Sequence, residues 1–130
     1  MKLDFTKLGG LLPAVVQDIS DNRVLMVGFM NEEAFQKTLD TGNVTFYSRS
    51  RNELWTKGNT SGHYLAAREI FVDCDEDTLV IKVDALGPGV CHNGFRSCFY
   101  RRLEGGRWKQ VDQPSYDPGL VYKSSGSQPA

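Results

Sequence analysis

Residues 68–83 read REIFVDCDEDTLVIKV, from Arg68 through the acidic stretch Asp73-Cys74-Asp75-Glu76-Asp77 to Val83. Two runs of strand-like composition, Arg68 to Val72 and Leu79 to Val83, meet at that stretch, which makes it the turn of a β unit. Three carboxylates at every second position repel one another unless a cation sits among them. Carboxylate oxygen suits a hard ion such as Mg2+, whereas thiolate sulfur suits zinc. Extended backbone sends alternate side chains to opposite sides, so Asp73, Asp75 and Asp77 are expected on one side and Cys74 on the other. Two metals flanking one ribbon would follow. The plainer alternative is a polar hairpin turn that carries a half-buried cysteine.

On the N-terminal side, the apolar runs Leu11 to Ile19 and Arg23 to Met30 are separated by Ser20-Asp21-Asn22, a composition that predicts a hairpin. The second run is apolar on both faces and is expected to be buried. Asn31 can cap a helix with Glu32 and Glu33 in its first turn, Phe35 and Leu39 packing one face on the sheet, and Gly42 as its stop. Strand character resumes at Val44 to Tyr47. Residues 48–63, SRSRNELWTKGNTSGH, then mix hydroxyls, cations and glycines. Such a loop can hold phosphate through Arg49, Arg51 and Lys57 while Tyr47 and Trp55 lie against a base, although no phosphate-loop motif is present.

On the C-terminal side, residues 87–102, GPGVCHNGFRSCFYRR, predict a loop that leads into a strand. Six residues separate Cys91 from Cys98, wider than the spacing of zinc fingers or ribbons, so a four-ligand structural site is poorly supported. Three thiolates, Cys74, Cys91 and Cys98, can still hold one zinc and leave its fourth position open for catalysis, with His92 as a nearby base. Gly105-Gly106 is expected to turn a hairpin before Trp108, and Lys123 to Ala130 is expected to be disordered.

The 130 residues suffice for one domain, with 40% hydrophobic residues and a mean hydropathy of -0.38. Fifteen basic against sixteen acidic residues give a net charge of -1, which disfavours nucleic-acid binding by bulk charge. No apolar run approaches the roughly 18 residues of a membrane span, and no signal-peptide block opens the chain, so a cytoplasmic location without membrane association is expected. Three cysteines are an odd number for a disulfide framework, and metal binding or catalysis is the better use for them. The expected fold is mainly β (α+β): a two-layer or pseudo-barrel sheet core with one substantial helix near 32–41. The domain is expected over 1–110, with a C-terminal tail over 111–130.

Taken in order, LLPAVVQD, MVGFMNEEA, FYSRSRNELWTKGNTSGH, the DCDED turn and GPGVCHNGFRSCFYRRL make residues 11–103 resemble phosphoribosyl-AMP cyclohydrolases of histidine biosynthesis. The resemblance implies the single-function form, without the pyrophosphohydrolase domain fused in some relatives. It implies zinc on Cys74, Cys91 and Cys98, and Mg2+ on Asp73, Asp75 and Asp77. It further implies an intertwined homodimer in which Cys74 of one subunit completes the zinc site of the other. The implied reaction is hydrolytic opening of the adenine ring of 1-(5-phosphoribosyl)-AMP, a small-molecule nucleotide, at its N1–C6 bond. His92 is then the candidate for proton transfers, and Arg49, Arg51, Trp55, Lys57 and Arg96 for substrate binding.

Two rivals lack the residues they need. A zinc-containing nucleic-acid-binding module would use the aromatic and basic residues of 46–57, against which the cysteine spacing and near-zero charge stand. A nucleobase deaminase would show His-x-Glu and Pro-Cys-x-x-Cys, and neither occurs.

Overall fold

The computed structural model describes residues 2–121; the expectation for Lys123 to Ala130 falls outside them. In chain order the elements are β1 (Leu12–Asp18), β2 (Val24–Met30), α1 (Glu32–Thr41), β3 (Thr45–Ser48), β4 (Glu53–Thr56), β5 (Tyr64–Val72), β6 (Leu79–Leu86), β7 (Arg101–Glu104), β8 (Arg107–Gln110) and α2 (Pro118–Val121). The fold is mainly β with one substantial helix, as expected.

Four strands form the main sheet in the order β2-β1-β6-β5. The outer pairs are antiparallel hairpins, β1–β2 and β5–β6. The central pair, β1 and β6, is parallel, with Ala14 opposite Leu79, Val16 opposite Ile81 and Asp18 opposite Val83. Leu12, Ala14 and Val16 on β1 and Leu79, Ile81 and Val83 on β6 are all buried, so the period-two alternation of both strands delivers one continuous apolar face. Parallel neighbours need a long crossover. Here α1, the β3–β4 hairpin and the connections around them supply it and cover that face.

The helix begins where Asn31 accepts the Ala34 amide at 2.8 Å and ends at Gly42, whose φ of 78° only glycine adopts freely. Its buried side chains are Ala34, Phe35 and Thr38. Leu39 is 38% exposed, so the expected Phe35/Leu39 stripe is corrected to Phe35 with Ala34 and Thr38. Thr38 is chosen over Leu39 because its buried hydroxyl joins the helix to β3, donating to Ala34 O and accepting from Thr45 N, both at 2.9 Å. Val27 on β2 is likewise exposed, because it pairs with Val15 and points to the face of the sheet opposite buried Ala14 and Val16.

Residues 48–63 are less of a loop than their composition suggests. Phe46 and Trp55 face each other across β3 and β4 with ring centroids 5.1 Å apart, and the hydroxyls of Thr45 and Thr56 meet at 2.9 Å. These cross-strand pairs zip a hairpin whose turn uses Asn52 at φ 55°.

Gly28 lets this hairpin lie flat on β2: a Cβ there would meet the Phe46 ring at 2.4 Å. Gly28→Ala is expected to cost about 1–3 kcal/mol through overpacking. Urea unfolding of the variant beside wild type measures it, and an unchanged midpoint would show that Phe46 yields without strain.

Candidate functional site

Cys91 and Cys98 lie in a loop that doubles back on itself. Val90 N bonds Arg96 O and Cys91 N bonds Phe95 O, both at 3.1 Å, which folds the intervening residues into a closed turn. The Cys91 and Cys98 side chains come within reach of one another as a result. That contact explains why wide spacing in sequence does not keep the pair apart. Three further bonds fix the loop to the sheet. Cys98 N donates to Leu25 O at 2.8 Å, the buried Ser97 hydroxyl donates to Val24 O at 2.7 Å, and Arg96 reaches Asp18 at 3.0 Å and Asp21 at 2.9 Å.

The shared proton splits the two thiols. Cys91 is held down to about 6, first by the hydrogen bond from Cys98, then by the Asn93 amide, the neighbouring His92 and the Phe95 amide against the cost of burial. Cys98 is pushed up, chiefly because it keeps that proton. Two adjoining soft donors, Cys91 buried and Cys98 at the surface, fit a zinc ion approached from solvent. His92, next to Cys91 in the chain, is exposed.

The acidic turn gathers its carboxylates differently from the expected two-faced ribbon. Residues 73–78 are a closed turn: Asp73 N bonds Thr78 O at 3.1 Å, Glu76 N bonds Asp73 O at 3.2 Å, and Asp73 Oδ1 accepts from the amides of Asp77 and Thr78. Glu76 adopts φ 63°, held there by Asp4 N on its carbonyl at 2.7 Å. Asp73, Asp75 and Asp77 nonetheless converge, each offering an oxygen within 4.8 Å of the others. The cation that such convergence demands is supplied by Lys7, whose ammonium lies 2.9 Å from Asp75 and 3.0 Å from Asp77. Asp75 is lowered to about 2, first by the hydrogen bond from Lys7 and then by those shared with Asp77 and Asp73. An all-oxygen cluster of this kind fits a hard divalent ion in place of that ammonium.

The third cysteine does not join the other two. Among the described residues, the three aspartates are the only group of three or more such side chains gathered closely enough to share an ion. The register explains it. The acidic turn precedes Leu79 and so lies at the Ala14 end of the central pair, while the cysteine loop is tied to Val24, Leu25 and the Asp18–Asp21 turn at the other end. From Leu79 to Val83 are four steps of roughly 3.3 Å, about 13 Å of strand between the two ends.

The expected substrate-binding residues separate into two groups. Arg49 lies over the Phe29 ring at 4.5 Å and, with Ser48, Ser50, Tyr47 and Trp55, lines a cavity of about 270 Å³. Arg51 sits in the same turn, 3.9 Å from Glu53. Arg96, by contrast, is engaged by Asp18 and Asp21. Lys57 is only 4% exposed, its ammonium 5.8 Å from the Trp55 ring; burial lowers it while Cys98 and Cys91 favour its charge. With Lys57 buried and Trp55 packed on Phe46, this stretch is no open stacking platform for nucleic acid. His63, Ser115 and Tyr116, none of them among the expected site residues, all contact the cysteine loop. Only the His63 of the quoted TSGH motif left any trace in sequence.

The profile of the family described as phosphoribosyl-AMP cyclohydrolase matches residues 26–100. The chain is similar to proteins of that name from Solibacter usitatus, 60% identical over 94% of this chain and 97% of the relative, and from Desulfatibacillum aliphaticivorans, 53% identical over 95% and 98%. A third, from Pelobacter propionicus, is 50% identical over 95% and 98%.

Thiolate absorbance of the metal-free protein, followed against pH, should show a first ionisation near the value of about 6 set by the Cys98 hydrogen bond. In Cys98→Ala that donor is gone and the midpoint should move up toward the ordinary thiol value. A midpoint indifferent to the substitution would mean the two sulfurs do not share a proton.

Proposed function

The chain belongs to the phosphoribosyl-AMP cyclohydrolase family, and on that footing we propose that it opens the adenine ring of 1-(5-phosphoribosyl)-AMP by zinc-dependent hydrolysis at the N1–C6 bond. Membership makes it a hydrolase of histidine biosynthesis. The observation that carries the finer proposal is the contact of Cys91 with Cys98 beside an exposed His92.

Substitution at N1 leaves C6 of the purine electron-poor. Water adds to C6, the C6–N1 bond breaks, and the proton lost by the water ends on the departing nitrogen, giving the formimino-aminoimidazole carboxamide ribonucleotide. Bound by thiolates, zinc would supply the polarisation that makes the water a nucleophile. Three thiolates would leave such a water less acidic than the value of about 7 typical of nitrogen-ligated sites. A base is therefore needed, and His92 takes the proton and returns it. Arg49 and Arg51 would bind phosphate, and Trp55 would wall the cavity beside Arg49. The cavity that Arg49 and Trp55 border is smaller than the roughly 300–1,000 Å³ of whole-ligand pockets, so it takes one end of the nucleotide. Arg96 and Lys57 serve better as supports of the cysteine loop than as phosphate cations.

Zinc needs a third protein ligand, and Cys74 of the same chain is at the wrong end of the sheet. We therefore propose a homodimer in which Cys74 of one chain completes the Cys91/Cys98 pair of the other. Phe71 and Val72, half-exposed apolar residues just before the acidic turn, support a covering partner there. Magnesium held by Asp73, Asp75 and Asp77 would then lie near the shared centre and neutralise phosphate. The cytoplasm is the proposed location; among the described residues no helix is long and apolar enough to cross a membrane.

Turnover of phosphoribosyl-AMP, followed by absorbance, tests the activity, and subunit mixing tests the sharing. Cys74→Ala and Cys91→Ala proteins, each expected to be inactive, are unfolded together and refolded. About half the dimers are then mixed, each with one intact site of two, so about a quarter of wild-type activity should return. Verified reassortment without recovery rules out the shared site. His92→Ala should keep its zinc and lose roughly 100-fold in rate; unchanged turnover would remove His92 from the chemistry.

A further inference from the structure

The cysteine loop is gripped from two sides by residues with no part in the chemistry above. From the C-terminal segment, the amides of Ser115 and Tyr116 both donate to Gly94 O, at 2.7 and 3.2 Å. The Ser115 hydroxyl donates to Pro88 O at 2.8 Å, and the Tyr116 hydroxyl donates to the carbonyl of Cys91 itself. From the connection before β5, His63 Nδ1 meets Gly89 O at 3.2 Å. A carbonyl only accepts, so Nδ1 carries the proton. The two sides also brace each other: the His63 and Tyr116 rings meet edge to face, 5.0 Å between centroids and 89° between planes.

Little slack remains within this grip. A Cβ on Gly87 would meet the His63 ring at 2.6 Å, one on Gly89 would meet Phe95 O at 2.5 Å, and one on Gly94 would meet Tyr116 O at 2.7 Å. Cys91 is 4% exposed, and its carbonyl accepts from both Gly94 N and the Tyr116 hydroxyl. Cys98 is anchored independently, by its amide on Leu25 of β2. The loop's own bonds bring the two sulfurs together, while the sheet fixes the Cys98 end and the clamp the Cys91 end.

We propose that Tyr116 and Ser115, braced by His63, are positioning residues that hold the Cys91 backbone so that its sulfur stands beside that of Cys98 before any ion arrives. This rests on the proposed ligation by Cys91 and Cys98. A half-site held in place loses less freedom on binding, and groups that orient metal ligands from behind contribute about 10–100-fold in affinity.

The test is Co2+ titration of the metal-free full-length protein, read by thiolate-to-cobalt charge-transfer absorption and by competition with a chelator. Wild type should show the band, and Cys91→Ala and Cys98→Ala should weaken it. Tyr116→Phe keeps the ring against His63 and loses only the hydroxyl; its Co2+ affinity should fall about 10-fold. Ser115→Ala should weaken binding in the same direction, and Arg107→Ala on the exposed β8 should not. A merely structural role would lower the melting temperature of Tyr116→Phe and leave the affinity of the folded protein unchanged, which overturns the proposal. If Tyr116→Phe loses cooperative unfolding, Ser115→Ala decides alone: weakened Co2+ binding supports the clamp, and wild-type affinity overturns it. Absence of the band in wild type overturns the cysteine ligation, and the positioning role with it.

Discussion

The parallel pairing of β1 with β6 is the constraint on which the other features depend. Two parallel neighbours cannot be joined by a tight turn, so the chain must leave the sheet after β2 and return before β5. The excursion supplies α1 and the β3–β4 hairpin, whose Phe46 closes over the buried face through the gap at Gly28. The same pairing fixes polarity. Because β1 and β6 run together, the turn that enters β6 and the turn that leaves β1 are at opposite ends of the sheet. Acid and sulfur chemistry are separated within one chain for that reason.

Each end then solves its own electrostatic problem. At the acidic turn the mutual repulsion of three carboxylates is relieved by Lys7, reached across the fold from the N-terminal segment. At the other end, Arg96 joins the cysteine loop to Asp18 and Asp21 of the β1–β2 turn, and buried Ser97 satisfies its hydroxyl on β2. Both arrangements use exposed or half-exposed ion pairs, whose individual contribution is small. Their effect is registration: they decide which side chains face one another more than how tightly the fold is held.

Local signals were legible in the sequence and tertiary ones were not. The β1–β2 hairpin, the helix between Asn31 and Gly42 and the Gly105-Gly106 turn rest on residues that act on their neighbours, and all three stand in the structure. Leu39 and Val27 are exposed against expectation because apolar composition does not show which face of a helix or sheet is covered. The convergence of Asp73, Asp75 and Asp77 was legible, but through strand alternation in place of the closed turn that produces it. The pairing of Cys91 with Cys98 was legible from residue type, whereas the doubled-back loop that brings them together was not. Arg96 looked like a free cation because its two carboxylates come from the far end of the chain in sequence. Tyr116 carried no signal at all, since its bonds to the Cys91 and Gly94 carbonyls and its contact with His63 are all tertiary.

The placement of Cys74 on an exposed turn, away from its fellow cysteines, has a consequence for mass action. Were the ligands drawn from two chains, as proposed, the concentration of complete centres would follow the square of the concentration of free subunits when dimers are scarce. Dilution would then silence the enzyme without unfolding it, and specific activity would climb with protein concentration until the subunits are saturated with one another. A metal that bridges the subunits would in turn shift their association, so ion and partner would each raise the affinity for the other by the same factor.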